Sequence, residues 1–413
     1  MKRNLVHIGL FGLALTWSSG LIAAPAQGDE PLNLANALGK VLDRVWSEAP
    51  ERALTDGREA EAQALQRHAD ALLPQAPSLA LSAQAGSYAH GDPSGTYSEL
   101  IGGVELPLWR PGQREILQRI AQGTQDLAEA ERAALRLALA GLLREAGWDV
   151  LLAETRVQGL RRALDEVRTA QKKMQRMVVL GERSRVDAVQ LGAEAADVAQ
   201  QHAAAEAALQ HATLAWRSLS RQHALPGQWR ETLVGERPIE LHPVALAARA
   251  AWQRAGHERQ KAGAETEGAP VLGVGARQDR TPGAETLNAV VMTLSMPLPW
   301  ASARAATEAP LRYAELEAEV AFNKTLRRLQ LEREAARAAL QGARQQAGLA
   351  EERMQLEQES LRLAERQVAE GQMDALDFVT VLRRVREAVL AAEMARIEVE
   401  RAVSRVNQAE GVV

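Results

Sequence analysis

The chain carries an internal repeat with a fixed spacing. Pro107-Leu108-Trp109 corresponds to Pro297-Leu298-Pro299-Trp300, and the glycine, aspartate and valine of Gly181–Val189 keep their places in Gly371–Val379. The offset from 107 to 297 equals that from 181 to 371, at 190 residues. Two matches with one offset predict that a single structural unit, a strand hairpin followed by a long helix pair, was built twice. Such a repeat indicates an architectural function.

The composition is typical of long helices rather than of a dense globular core. Aromatic residues make up 3% of the chain, and the apolar 46% comes largely from Ala, Leu and Val. Charged residues make up 25%, with both signs interleaved and a net charge of −4. This balance is typical of extended helical proteins, and a near-neutral chain has no electrostatic footprint for nucleic acid.

The sequence contains no motif for chemistry at a site. There is no cysteine, which excludes disulfides, thiolate metal sites and a lipid anchor on an N-terminal cysteine. The eight histidines are scattered, and no pair has the spacing of a zinc site. Because a phosphate-binding loop and a nucleophile elbow are also missing, we predict no enzymatic activity, no cofactor and no metal site.

The N-terminus is predicted to be a secretory signal peptide at residues 1–26. Lys2 and Arg3 form its basic part, Leu5–Leu15 is apolar apart from one histidine, and Ala24-Pro25-Ala26 ends in a small-x-small site. We therefore expect cleavage near Gln27. The alternative is an inner-membrane anchor, for which the apolar run is short. No other segment has enough apolar residues for a transmembrane helix.

Two stretches change from a helical period to a period of two. In residues 77–108, Leu100 and Val104 share one face, and Glu105 falls on the other. Residues 270–298 alternate in the same way around a turn rich in Pro and Gly. Each stretch is predicted to be a β-hairpin with one apolar face and one mixed face.

The other segments follow the helical period. Residues 32–73 are predicted to be helical with a break near Pro50. The two longest helices would each be about 100 Å long at 1.5 Å per residue, and Pro310 is expected to kink or delay the second. The predicted organisation is a signal peptide at 1–26, a first repeat at 27–224 with hairpin 77–108 and helices 112–178 and 186–223, a linker at 225–242, and a second repeat at 243–413 with hairpin 270–298 and helices 301–368 and 378–408.

The hairpin strands have the length of tilted membrane-spanning β-strands. The pattern alone also fits two hairpins half-buried on a soluble core. The aromatic residues favour the membrane: Trp109 and Trp300 lie at equivalent strand ends, and Tyr88 and Tyr97 flank the first turn, as interface anchors do. Four strands cannot close a barrel and an open edge cannot lie in lipid. The chain must then oligomerise, with eight strands from two copies or twelve from three.

Three local signatures resemble the outer membrane factor family, the TolC-like exit ducts of Gram-negative efflux and secretion systems. They are the strand ends at 105–109 and 295–300, the glycine–aspartate pairs Gly181/Asp187 and Gly371/Asp377, and the terminal helix with Asn407 near its end. The resemblance implies a mainly α fold with a β-barrel portion: a trimer with a 12-stranded outer-membrane barrel continued by a periplasmic α-helical tunnel. The segment after the second strand end also resembles the heavy-metal, CzcC-like branch.

The same resemblance assigns roles to the two helix–helix turns. It implies that Val179, Leu180, Gly181, Val368 and Gly371 contact a periplasmic adaptor, also called a membrane fusion protein. The alternative for the glycines is plain helix C-capping.

The aspartates that follow the turns also have two interpretations. By resemblance, Asp187 and Asp377 lie at the narrow end of the tunnel and form a periplasmic gate. Both also fit a helix capping pattern, in which an acid lies three residues after the cap.

The function implied is a passive exit duct. It would work as a homotrimer in outer membrane lipid, with an adaptor and an inner-membrane pump, most simply of the RND type, that supplies the energy; heavy-metal ions are one candidate cargo. The alternative is a periplasmic coiled-coil adaptor or an envelope-spanning structural protein. An adaptor would have one helical hairpin between β-rich domains, and an envelope-spanning structural protein, or tether, would lack strands. The doubled hairpin-plus-helix unit therefore favours the duct.

Overall fold

A computed structural model describes residues 34–88, 95–181, 183–227, 229–265, 268–298, 301–370 and 372–413. The predicted signal peptide at 1–26 lies outside these residues, as do Trp300 and Gly371, and so does the side chain of Tyr88.

The described part of the chain is mainly helical with one antiparallel sheet, which confirms the predicted mixture of long helices and strand hairpins. The order helix, two strands, long helix, shorter helix occurs twice. The elements are α1 (Leu34–Glu48), α2 (Glu51–Ala69), β1 (Ser78–Tyr88), β2 (Gly95–Pro107), α3 (Gln113–Val179), α4 (Arg185–Ser220), a 3-10 turn (Ile239–Leu241), α5 (Pro243–Glu265), β3 (Val271–Arg280), β4 (Leu287–Ser295), α6 (Ala301–Ala369) and α7 (Ala375–Ala409).

The strands form a single sheet in the order β1-β2-β3-β4, with every neighbouring pair antiparallel. Val104 lies opposite Leu79 on β1 and Val274 on β3, and Val274 lies opposite Met292 on β4. Directly opposed residues share a face of a sheet and successive residues alternate between faces. The register therefore gathers aliphatic side chains from all four strands on one face.

This apolar face is open to solvent in the single chain. Leu79 is 82% exposed and Val290 is 79% exposed. The large apolar side chains that share the face are Leu79, Leu81, Leu100, Val104, Leu106, Leu272, Val274, Val290, Met292 and Leu294.

The opposite face of the sheet is the more polar one, although Ile101 and Val291 also lie on it. Ser78 Oγ donates a hydrogen bond of 3.1 Å to the carboxylate of Glu105, and Arg277 forms ion pairs with Glu99 at 3.2 Å and Asp279 at 2.8 Å. At its centre Gly103 opposes Gly275. A Cβ atom on Gly103 would come 2.8 Å from the Gly275 Cα atom, so the close approach of β2 and β3 requires glycine here.

The long helices form two hairpins that lie side by side. α3 packs along α4, α6 packs along α7, and α7 also contacts both α3 and α4. Nearer the sheet, α2 and α5 pack on α3, and α5 packs on α6. The Arg58–Glu131 ion pair of 2.8 Å fixes α2 beside the early turns of α3. The helices therefore carry the sheet at one end and two helix–helix turns at the other.

A tryptophan-rich cluster holds the middle of the molecule together. Trp148 of α3, Trp216 of α4 and Trp229 of the segment between α4 and α5 pack with the apolar side of α1. The rings of Trp216 and Trp229 meet edge to face at 5.3 Å, an arrangement that aromatic pairs favour.

A buried polar network fixes the inter-repeat segment beside this cluster. Arg144 of α3 pairs with Glu231 at 2.7 Å, and both side chains are almost fully buried. Asn407 of α7 donates to Glu231 at 2.8 Å and accepts from the Val234 backbone N–H at 2.9 Å. Buried charges are tolerated only when they are paired and hydrogen-bonded. The network therefore ties the segment between the repeats to α3 and α7.

Pro310 lies inside α6, which begins nine residues earlier at Ala301. The expected delay of this helix is therefore wrong. Pro310 lacks only its own N–H bond to the preceding turn, and the flanking turns continue the helix. In the described ranges, none of the helices combines the length and the apolarity that crossing a membrane requires.

Candidate docking tip and gate

The α3–α4 turn is built from a left-handed glycine and a helix cap. Gly181 has a φ of 76°, which lets the chain reverse directly after α3. Ser184 caps α4, because its hydroxyl accepts from the Asp187 N–H at 3.2 Å. The Asp187 carboxylate accepts in return from the Ser184 N–H at 3.1 Å. The geometry thus shows a reciprocal capping box, as in the capping alternative for Asp187.

The α6–α7 turn is capped differently. Asp374 precedes α7 and accepts from the Asp377 N–H at 2.8 Å. Asp377 is exposed, and its carboxylate accepts no hydrogen bond from the part of the chain that the structure describes. Asp377 is therefore the aspartate whose charge is available to solvent, whereas Asp187 is engaged in its own cap.

Arg183 joins the two turns. Its guanidinium donates to the Val368 and Met373 carbonyl oxygens, each at 3.4 Å. Val368 lies in the last turn of α6, where unpaired carbonyl groups carry the negative end of the helix dipole. Local sequence patterns around Arg183 do not predict this contact. Arg183 and Met373 are 190 residues apart, which is the repeat spacing, and that spacing was the available signal.

The end of the α3–α4 hairpin exposes aliphatic side chains. Val179 is 86% exposed and Leu180 is 71% exposed. Further exposed aliphatic residues of both turns are Val186, Val189 and Leu376. Val368 is half-buried and Gly371 lies outside the described residues. An exposed apolar patch on a helical tip is typical of a protein contact surface.

A groove of about 1030 Å³ runs between the two helix pairs above the tip. Met174 and Met177 of α3 line one wall, and Val368 of α6 and Phe378 of α7 line the other. Methionine side chains adapt their shape to different partners. The exposed aliphatic patch at the turns is therefore extended by this groove, which lies between the two helix pairs.

A buried ion-pair network links the helix pairs further from the tip. Glu194 of α4 is 3% exposed and accepts hydrogen bonds from Arg383 and Arg386 of α7. Burial raises the pKa of Glu194, but the hydrogen bonds from the two arginines outweigh it and hold the pKa below its ordinary value. Sequence reasoning missed this network as well, although its separations of 189 and 192 residues are close to the repeat length.

The proposed membrane anchors occupy different environments. Trp109 lies where β2 gives way to α3, and its indole N–H donates to the Ala71 carbonyl oxygen at 3.0 Å. Tyr97 lies on the polar face of the sheet, where its hydroxyl accepts from Gln84 at 3.3 Å and its ring covers Gly86. Strand alternation places residue 97 on the same face as Glu99.

The described residues contain no group of three or more His, Cys, Asp or Glu side chains that could hold a metal ion.

No protein-family model and no curated protein sequence match the chain. Solved structures do. VceC of Vibrio cholerae, an outer membrane protein, is 17% identical with a TM-score of 0.69, over 91% of this chain and 96% of VceC. CusC, a protein whose structures concern folding and transmembrane channel formation, is 14% identical with a TM-score of 0.70, over 97% of this chain and 100% of CusC. The MtrE outer membrane channel of Neisseria gonorrhoeae is 17% identical with a TM-score of 0.66, over 91% of this chain and 89% of MtrE.

The chain has the fold of the outer membrane factor channels. This likeness covers both the sheet and the long helices, since it extends over more than nine-tenths of the chain in each comparison. It agrees with the resemblance drawn from the strand ends and the glycine–aspartate turns. The heavy-metal branch is not distinguished by these neighbours, because channels of several kinds have similar TM-scores.

Proposed function

We propose that this protein is an outer membrane exit duct of a tripartite efflux system, which passively conducts substrate from the periplasm to the exterior. The observation that carries the proposal is the four-stranded sheet, with one exposed apolar face, one polar face and two outer strands. A soluble protein rarely exposes so large an apolar surface. The strands contain 11, 13, 10 and 9 residues, which is sufficient for tilted membrane-spanning strands.

The same sheet argues for a closed oligomer. Strands β1 and β4 each present a row of backbone groups that have no neighbour in the sheet order. In a bilayer these groups must pair, so β4 of one copy would pair with β1 of the next. Three copies give a 12-stranded barrel whose polar face lines a pore, whereas two copies give eight strands and an interior filled by side chains. We therefore propose a homotrimer.

The helices support the same assembly. α6 exposes Leu349, Leu356 and Leu363 at intervals of seven residues, a stripe that a helix normally buries against another helix. We propose that a neighbouring copy covers this stripe, so that the long helices of three chains form the periplasmic tunnel. The proposed repeats at 27–224 and 243–413 then each contribute one hairpin and one helix pair.

We propose that the tips are the contact surface for a periplasmic adaptor. Val179 and Leu180 supply exposed aliphatic contacts, Gly181 supplies the tight turn, and Val368 lines the adjoining groove. Gly371 belongs to the same proposal by its position in the sequence repeat. The energy for transport would come from an inner-membrane pump, for which an RND-type transporter is the first candidate.

We also propose that carboxylates near the tip form the gate. Three copies would bring three exposed Asp377 side chains to the narrow end of the tunnel, and a ring of carboxylates favours cations. Asp187 lies at the equivalent position of the first repeat, but its carboxylate already accepts a hydrogen bond from the Ser184 N–H in the helix cap. Asp377 is therefore the principal gate residue of this proposal, and heavy-metal cations are the first cargo to test.

The proposal is tested by expressing the full chain and extracting membranes with alkaline carbonate. An outer membrane barrel stays in the pellet, loses residues 1–26 near Gln27 and forms a cross-linked trimer. The purified trimer should form discrete channels in planar bilayers. Release of the protein into the supernatant as a monomer or dimer would instead support a periplasmic adaptor or tether.

A further inference from the structure

The junction between the sheet and the helices carries two arginine–leucine pairs. Arg114 Nη2 donates to the Ala71 carbonyl oxygen at 2.8 Å, and the next residue, Leu72, is 86% exposed. Arg110 Nη2 donates to the Pro297 carbonyl oxygen at 3.3 Å, and the next residue, Leu298, is 84% exposed. Each guanidinium is therefore bound to the backbone one residue before an exposed leucine. We call these four residues together with Trp109 the junction collar.

Trp109 orders the arginine at the centre of the collar. The Arg114 guanidinium lies 5.3 Å from the centroid of the Trp109 ring, and the His68 ring lies 5.7 Å from the same ring. The indole N–H also donates to Ala71. Cation–π stacking and a shared acceptor fix the guanidinium in one orientation. A fixed arginine fork loses little conformational entropy when it binds an anion.

Arg114 has N–H groups that donate to no described residue, and it has no carboxylate partner among those residues. A guanidinium carries five N–H groups, and here one nitrogen, Nη2, donates to a backbone carbonyl. Its Nε atom is buried without any acceptor in the described part of the chain. Because Nε is buried, it is closed to molecules from outside the chain. The nitrogen that remains for an external acceptor is Nη1, which is not buried and donates to no described residue.

The position of the collar limits what this acceptor is. Leu298 lies three residues beyond the end of β4, and Arg114 lies in the first turn of α3, so the collar lies where the sheet ends and the helices begin. At this height a membrane changes from acyl chains to headgroups. An arginine with open donors beside exposed leucines is complementary to a molecule with a phosphate and an aliphatic chain.

We propose that the junction collar is a binding site for a glycerophospholipid of the inner leaflet, with an anionic headgroup favoured. Arg114 donates to the headgroup phosphate, Arg110 adds positive charge, and Leu72 and Leu298 contact the first carbons of the acyl chains. This inference rests on the proposed insertion of the sheet into a membrane. The bound lipid would fix the height of the barrel in the bilayer, because it holds the collar at the level of the headgroups.

The test titrates the purified full chain in detergent with palmitoyl-oleoyl phosphatidylglycerol and counts bound lipids by native mass spectrometry. Arg114→Gln should weaken lipid binding about tenfold, as the loss of one charge-assisted hydrogen bond predicts. Arg114→Lys keeps the charge and should retain most of the binding. The matched control is Arg161→Gln, an exposed arginine of the same helix about 70 Å further along at 1.5 Å per residue.

Two results would overturn the proposal. One is equal lipid binding by wild type, Arg114→Gln and Arg161→Gln. The other is displacement of the lipid by inorganic phosphate at equal concentration. That result would show that the site binds anions and that the acyl chains contribute nothing to binding. Carbonate extraction separates this inference from the proposed function. If wild type and Arg114→Gln both stay in the membrane pellet and bind lipid equally, the collar proposal alone fails; if wild type is released, the membrane proposal fails first.

Discussion

The Glu194 network allows a quantitative prediction about the packing of the two helix pairs. Glu194→Ala removes the carboxylate that neutralises Arg386, whose side chain is 12% exposed, and Arg383, whose side chain is 54% exposed. Removing one partner of a buried ion pair costs about 3–5 kcal/mol. Because Arg383 can turn into water, we expect a cost near the lower end, about 3 kcal/mol, nearly all of it from Arg386.

Hydrogen exchange on the purified protein measures this cost locally. Amides of α4 and α7 near the network should exchange about 100-fold faster in Glu194→Ala, since every 1.4 kcal/mol is about tenfold in an opening equilibrium. Arg383→Ala should change exchange by less than about fivefold, as for an exposed pair. The double variant Glu194→Met/Arg386→Met should recover most of the protection, because an apolar pair of similar volume avoids the unpaired charge. Amides around Trp216 serve as an internal control.

The pH dependence follows from the lowered pKa. A carboxyl group whose pKa is lower in the folded state stabilises the fold above its ordinary pKa of 4.5. That contribution is lost as the pH falls through the folded-state pKa. Protection of α4 should therefore decrease below pH 4.5 in wild type and depend less on pH in Glu194→Gln. Unchanged protection in Glu194→Ala, or a larger loss in Arg383→Ala than in Glu194→Ala, would refute the reasoning.

Three further predictions concern the gate, the tip and the sheet. Asp377→Asn should lower cation selectivity and weaken block by trivalent cations in planar bilayers. Asp187→Asn should mainly destabilise its helix cap, by about 1 kcal/mol. Equal selectivity in wild type and Asp377→Asn would exclude Asp377 from the gate. Leu180→Asp should abolish co-purification with the adaptor without altering the trimer, whereas Leu142→Asp, at an exposed position on α3 away from the tip, should leave co-purification intact. Gly103→Val should prevent trimer assembly, because a Cβ there meets the Gly275 backbone; normal trimers would show that β2 and β3 separate without cost.

Local periodicity was sufficient to predict the class of each segment. The change from a helical period to a period of two is a property of neighbouring residues, and it marked the strands of β1 and β2 before any contact was known. Capping chemistry is equally local, so Ser184 and Asp187 could be recognised as a cap from their spacing. The expected delay of α6 by Pro310 was wrong for a related reason: a proline removes one backbone bond, and the packing of its neighbours decides whether the helix continues.

The side-chain contacts between distant segments could not be predicted in this way. Arg183 and Glu194 look like ordinary charges on solvated helix faces in the sequence. Their partners are far along the chain, and the packing of α4 beside α7 sets which arginine meets Glu194. The repeat spacing contains part of this information, since equivalent positions lie at similar heights. It does not give the rotation of each helix, which decides whether two side chains face each other.

The sequence by itself determined the mainly helical class with strand hairpins and the alternation of apolar and polar residues along each strand, and it predicted that one unit is built twice. Each of these depends on residues that are near neighbours or on a spacing that can be counted. The tertiary structure alone decided that β2 lies beside β3 and so joins the two hairpins in one sheet with a continuous apolar face. It also decided that Arg183, Glu194 and Arg114 face particular partners. These outcomes depend on the register of elements far apart in the chain, and close packing over their whole length fixes that register.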